Sequence, residues 1–416
     1  MWRARALAPA DGSGRYAARL EEFSSRITFR GMSSARPRTR LEHLDGIRAV
    51  AASYVVLHHA YLTVYPHDDP VGAAAAAFSW LRYGNFGVAV FIVLSGYSLM
   101  IRPARQGGLG ESYWSFIRRR FRRIVLPYWI ALAVSLVLAL TLLGTRTGTH
   151  WDAALPVTWP AFFAHLLVLQ DVWYSASINH VFWSVALEWH IYFVFPVLLR
   201  VWSRVGRVGL TLGLLVLTTG ISGVAGREGV HVPVLQYLDF LGLFAVGALS
   251  RTVDARFAMR ASAGRTSSMA AFGLLLAAGI LLIVLQNTTL AVVAVGLATA
   301  AALVAMENDR LVLLRRLLGS RPLVWLGTIS FSLYLIHALV VQAVWQYALS
   351  PTGFRLEQPA GLALLLPSAG VLSVLAAWGF WFIGERPFLS RTHGQRVEAE
   401  RSGLGGSDPV HSAPHD

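Results

Sequence analysis

The chain has 416 residues, of which 55% are apolar and only 14% charged, and its mean hydropathy is +0.53. That composition belongs to a membrane protein and excludes an ordinary soluble two-domain enzyme. The net charge of +14 would suit nucleic acid, but every basic residue is arginine and the arginines stand in short clusters between apolar runs, so no nucleic-acid partner is expected.

Residues 1–40 hold nine arginines and no long apolar core. They read as a disordered cytoplasmic arm that meets anionic lipid, not as a signal peptide. Met32 lies shortly before the first apolar run and is an expected alternative start; a peptide map finding residues before it would reject that reading.

The first apolar segment contains LDGIRAVAASYVVLHHAY, residues 44–61, with Asp45, Arg48, His58 and His59 inside it. Ionisable groups in an apolar span are costly and mark function. Arg48 and His59 are eleven residues apart, so they point within about 20° of each other and stand about 16 Å apart along a helix. An arginine near one membrane face and a histidine near mid-bilayer thus share one stripe. Asp45, three residues before Arg48, is placed to pair with it.

Ten segments are long enough to span, near 44–63, 85–101, 123–143, 182–200, 208–226, 234–250, 268–286, 288–306, 323–349 and 361–383. The fold class expected is an all-α integral membrane protein, about ten transmembrane helices in a single bundle. A cytoplasmic N-terminus puts only Arg82, Arg146, Arg227 and Arg355 outside, which fixes both termini in the cytoplasm. Residues 159–172 are apolar but short, and counting them as a span would reverse the later arginines. They read as a re-entrant or interfacial element on the outer side. The domain layout is therefore an arm over 1–40, a membrane domain over 41–390 and a disordered cytoplasmic tail over 391–416.

Several motifs carry candidate chemistry. FIVLSGY, residues 91–97, lacks the glycine two before the serine that a nucleophile elbow needs, because Val93 is there. Ser95-Gly96 therefore reads as a small pair for close helix packing. IRRRFRRIVLPY, residues 117–128, brings five arginines to the mouth of the third span. A stop on translocation explains the cluster as a whole at least as well as any binding role. Arg120 and Arg123 form an i, i+3 pair that abuts the apolar run, and paired guanidinium forks at that spacing suit phosphates. NHVFWSVALEWHIYFVFP, residues 179–196, carries Glu188 and His190 within the apolar stretch. For Glu188 a structural ion pair with Arg48 or another cation and a catalytic role stand equally open. His337 in ISFSLYLIH, with Tyr334 one turn before it, reads first as a packing residue, and Glu385 in ERPF as an interfacial cap. The absence of cysteine excludes disulfides, thiolate metal sites and a cysteine acyl carrier. His58 and His59 are adjacent and point about 100° apart, so they do not make a helical zinc pair.

In this order the motifs LDGIRAV…LHHA, FIVLSGY, RRRFRRIVLPY, WSVALEWHIYFVFP, SFSLYLIH and ERPF resemble the membrane-bound acyltransferase-3 family over about residues 41–390. The resemblance implies O-acyl transfer, usually from acyl-CoA, to a hydroxyl of a sugar, glycan, glycolipid or secondary metabolite such as an antibiotic, with no bound cofactor and no metal. The family's arginine-x10-histidine falls on Arg48 and His59, its RxxR on Arg120 and Arg123, and its glutamate on Glu188. Two positions depart. His190 replaces the glutamine that often follows the glutamate, which bears on acceptor contacts, and Leu126 replaces the first proline of the usual PPY. No hydrolase-like extracytoplasmic domain is fused on, so a stand-alone integral enzyme is expected.

Ester formation needs a base for the hydroxyl proton and positive charge for the developing oxyanion. His59 is the expected general base. Arg48 is expected to bind the donor or stabilise charge, and Arg120 and Arg123 to hold the CoA phosphates. The competing expectation is a proton-coupled transporter, which buried Arg, His and Glu also fit, although no inverted repeat is visible.

Overall fold

The structure is a computed structural model that describes residues 42–66, 77–173, 177–229, 233–252, 267–285, 287–349 and 358–389. The expected arm over 1–40 and tail over 391–416 lie outside the described residues. All regular structure among the described residues is helical.

The helices are α1 (Glu42–Val64), α2 (Asn85–Gln106), α3 (Tyr113–Leu140), the short α4 (Trp159–Leu166), α5 (Trp183–Val205), α6 (Arg207–Arg227), α7 (Asp239–Ser250), α8 (Ser267–Val284), α9 (Thr288–Glu307), the short α10 (Val312–Leu318) and α11 (Arg321–Thr328), α12 (Ser330–Ala343) and α13 (Gln358–Phe380). A π-turn follows each of the last two, over Val344–Leu349 and Trp381–Glu385. Local chemistry sets several ends. The Ser112 hydroxyl accepts from the Ser115 amide to open α3, Thr158 caps α4 in the same way, and Asn287 caps α9. Gly107, at φ +74°, closes α2 in the left-handed conformation that lets its N–H reach the Pro103 carbonyl.

Among the described residues seven helices are long and apolar enough to cross a membrane. The other three expected spans are helices too. Helix α1 has the length, but Glu42, Asp45, Arg48 and its histidines lower its hydropathy. Helix α7 has only 12 residues, and the Ser222 hydroxyl of α6 bonds to the backbone N–H and the carboxylate of its first residue, Asp239. Helix α8 runs over Ser267–Val284 and its sequence is apolar along nearly all of that length. The expected span 323–349 is broken at Ile329 into α11 and α12. The third span begins ten residues before its expected start, so the arginine cluster is itself helical. Helix α4 has eight residues, about 12 Å of rise, too little to span. The Tyr128 hydroxyl and the Trp129 indole of α3 hold it through the His165 and Leu166 carbonyls.

The helices pack as one bundle in two neighbourhoods. Helix α7 lies against α2, α6 and α9, and α8 pairs with α9. Helix α12 lies against α13 and α3, and α3 against α5. The α2–α7 seam depends on glycine at both sides. A Cβ on Gly96 would stand 2.1 Å from the Phe244 carbonyl oxygen, and one on Gly247 2.1 Å from that of Val93. Bare backbones approach closely here, which is how helices associate where lipid removes the hydrophobic drive. This supplies the reason for the Ser95-Gly96 pair.

Candidate active site

A cavity of ≈ 390 Å³ opens between α1, α2, α3, α5, the α11–α12 junction and the end of α13. Its ionisable lining is Arg48, Arg120, Arg123, Asp45, Glu188 and Glu385. Four of the five residues singled out in the sequence thus meet at one place from three different helices.

Four of the charged groups are hydrogen-bonded. Arg48 Nη1 donates to Asp45 Oδ1 at 2.7 Å, as the spacing suggested, and Nη2 donates to Ser98 Oγ at 3.1 Å. The α1 backbone is fixed there because Gly327 has no side chain: a Cβ on it would lie 2.0 Å from the Asp45 carbonyl oxygen. Glu188 is not paired with Arg48. The Tyr192 hydroxyl one turn on donates to Glu188 Oε1, and Ser95, 2.9 Å away, completes the chain by donating to the tyrosine oxygen. The Arg120 guanidinium stands over the rings of Phe116 and Tyr192, at 5.5 and 5.7 Å. Such stacking orients the planar fork while leaving its N–H groups available. Glu385, taken from the sequence as an interfacial cap, instead lines the cavity and accepts from the Ser332 amide and hydroxyl at 3.2 and 2.7 Å. Among the described residues no carboxylate forms an ion pair with Arg120 or Arg123.

His59 does not line this cavity. It stands in a layer of imidazoles, with ring centres of His58, His180, His337 and His150 at 4.7, 4.8, 4.9 and 6.2 Å. The link between the two places is Tyr334, which lines the cavity and packs 5.8 Å from the His337 ring. Its hydroxyl bonds to Ser184, also a lining residue, and to the Val181 carbonyl. So Arg48 and His59 share α1, as expected, but a Tyr334–Ser184 pair stands between the guanidinium groups and the imidazole layer. Among the described residues no three His, Cys, Asp or Glu side chains converge as metal ligands would. His190 is turned away from the cavity and meets the buried Asp171 at 2.8 Å. That departure from the family pattern fastens α5 to the segment after α4.

A family model described as an acyltransferase domain, Acyl_transf_3, matches residues 41–382. The chain belongs to this family. Acyltransferase MdmB of Streptomyces mycarofaciens is 26% identical over 324 residues, 73% of this chain and 79% of its own length. The putative peptidoglycan O-acetyltransferase YrhL of Bacillus subtilis is 26% identical over 388 residues, 86% of this chain but 56% of its own length. The putative membrane-bound transacylase BcsY of Komagataeibacter xylinus is 28% identical over 232 residues, 51% of each chain. The chain therefore spans most of the first relative and little more than half of the other two. It is a multi-pass membrane acyltransferase that moves groups other than aminoacyl groups, and the family membership favours this over a transporter.

Within this acyltransferase several residues went unremarked in the sequence. Tyr192 and Ser184 are polar but neutral, and in an apolar helix they leave no mark in charge or hydropathy. His150 and His180 come from short 3-10 turns, where no periodicity points to a shared face. The signal available for His180 was its place one residue after Asn179, which caps that turn through the Val181 amide.

Proposed function

We propose that this acyltransferase carries an acyl group from acyl-CoA to a hydroxyl of a sugar, glycan, glycolipid or secondary metabolite such as an antibiotic, with His59 as general base. The observation that carries the donor assignment is the pair of guanidinium forks on Arg120 and Arg123, facing a cavity with no carboxylate paired to them among the described residues. Two forks of this kind suit a diphosphate, which takes parallel N–H···O bonds from each. The arginine asymmetry of the loops supports a cytoplasmic position for this end and for both termini. That is the side from which a CoA ester arrives.

In this reading Arg48 belongs to donor binding. Its guanidinium is tied to Asp45 and Ser98, and its Cα stands about 16 Å along α1 from that of His59, too far to reach an oxyanion beside the imidazole. The pantetheine arm provides the length to bring a thioester from the arginine end to Tyr334 and Ser184, and that pair must part for the carbonyl to reach His59. His59 then takes the hydroxyl proton, the oxygen attacks the thioester carbonyl, the C–S bond breaks, and the imidazolium returns the proton to the leaving thiolate. No acyl-enzyme is needed. Glu188 holds Tyr192 and, through it, the face on which Arg120 stacks.

The likeness to YrhL, a putative peptidoglycan O-acetyltransferase, supports an acceptor of the glycan class. The decisive experiment uses full-length protein purified in detergent, with acetyl-CoA as donor and no membrane gradient. Release of free CoA that rises on adding a hydroxyl acceptor supports the reading; no release at any acceptor concentration sinks it.

A further inference from the structure

His337 plays no part in the scheme above, yet both of its ring nitrogens are committed. The side chain is fully buried on α12. Its Nδ1 lies 3.1 Å from the Leu333 carbonyl oxygen and 2.8 Å from that of Tyr334. Carbonyl oxygens only accept, so Nδ1 carries the proton and a neutral ring keeps its lone pair at Nε2. That Nε2 lies 3.1 Å from Nδ1 of His59. The same His59 Nδ1 is 2.9 Å from the Val55 carbonyl oxygen, again an acceptor only. Both contacts therefore assign the His59 proton to Nδ1, shared between two acceptors, and its lone pair to Nε2.

We propose that His337 is a positioning residue for the transfer reaction: its Nε2 accepts the Nδ1 proton of His59, fixes that ring from a second helix, and keeps the Nε2 lone pair of His59 presented to the acceptor hydroxyl. The proposal rests on His59 being the base. The Val55 carbonyl belongs to α1 and moves with His59, so it sets the tautomer but does not tie the ring to the rest of the site. His337 does, because its own Nδ1 is anchored to the α12 backbone. When His59 takes the proton, its Nδ1–H becomes a charged and stronger donor, and an acceptor already aimed at it needs no rearrangement. The arrangement has the logic of the carboxylate that orients a serine-protease histidine, with a neutral imidazole in place of the anion.

Two measurements on the full chain test this. With 15N-histidine protein in lipid, solid-state NMR should show a coupling across the hydrogen bond between His59 Nδ1 and His337 Nε2, lost in His337→Phe; no coupling in the wild type overturns the proposal. In detergent, with acetyl-CoA turnover as the assay, His337→Phe keeps the ring volume but lacks the acceptor. Its kcat should fall about 10- to 100-fold, the usual effect of losing the partner that orients a working histidine, while the acetyl-CoA KM stays unchanged because the donor cavity is untouched. His337→Gln places its terminal amide where Nε2 was and should recover most of the rate. His337→Asn reaches only the position of Nδ1 and should not. A packing role alone predicts no such split between the two amides, and equal rates for them overturn the proposal. A full-rate His337→Phe beside an inactive His59→Ala rejects the positioning role and spares the base. A full-rate His59→Ala removes both.

Discussion

Arg123 is the residue at which donor recognition is easiest to isolate, because its guanidinium faces the cavity without an ion-pair partner among the described residues. Replacing it with alanine should raise the acetyl-CoA KM about tenfold or more, as expected for losing a charge-assisted hydrogen bond worth about 1.5–3 kcal/mol. The kcat should change little, and Arg123→Lys should recover only part of the loss because an ammonium lacks the planar fork. Steady-state kinetics with the donor varied decides it; an unmoved KM removes the phosphate role. His59→Ala should lower kcat by about 10²–10⁴, the usual worth of a general base, in protein that still elutes as a single species. Both predictions use residues that stood out in the sequence as charge within apolar runs. Glu385 carried the same signal but sat at a helix end, where a cap is the commoner explanation, and only its contact with Ser332 across the bundle reveals the cavity role.

At the scale of elements, the α2–α7 seam is the most sensitive to change. Gly247→Leu puts a side chain where even a Cβ would stand 2.1 Å from a backbone oxygen, so two helices must separate. Overpacking typically costs about 1–3 kcal/mol, and a rigid backbone contact lies at the upper end of that range. The monodisperse fraction left after heating in detergent should drop at a lower temperature than in wild type. Gly213→Ala, on α6 with no atom within 4 Å of its Cβ, should show no drop. Equal heat sensitivity of the two variants would show that the close approach does not matter. The α5–Asp171 link makes a second prediction. His190→Gln restores the family's usual residue and retains hydrogen-bonding capacity toward Asp171, so acetyl-CoA turnover should be unchanged; a changed rate would return His190 to the reaction.

For the molecule as a whole, arginine asymmetry and the shortness of α4 make a joint prediction about sidedness. A reporter inserted at Ser177 should face outward, and reporters at both termini should face the cytoplasm. Reporter activity at Ser177 on the cytoplasmic side would turn the arginine cluster of α3 away from the CoA pool and undo the donor assignment. The same frame describes the separation of Arg48 and His59 along α1. The charged cavity gathers at one end of the bundle, and the imidazole layer draws on α1, α12 and the 3-10 turns His150–Ala154 and His180–Phe182.

The sequence by itself determined the membrane class, the helical architecture, the family and four residues of the charged cavity, because charge buried in an apolar run and arginine between runs are local signals with large free-energy consequences. It also placed Arg48 and His59 on one face of one helix, since eleven residues is close to three whole turns. Only the tertiary structure decided what stands between them. The Tyr334–Ser184 pair, the Tyr192–Glu188 bond and the contact of His337 with His59 join residues 150, 4 and 278 positions apart. The two long-range pairings depend on which helices become neighbours, and the short one on which face of α5 turns inward. Packing sets both, and hydropathy carries no record of either.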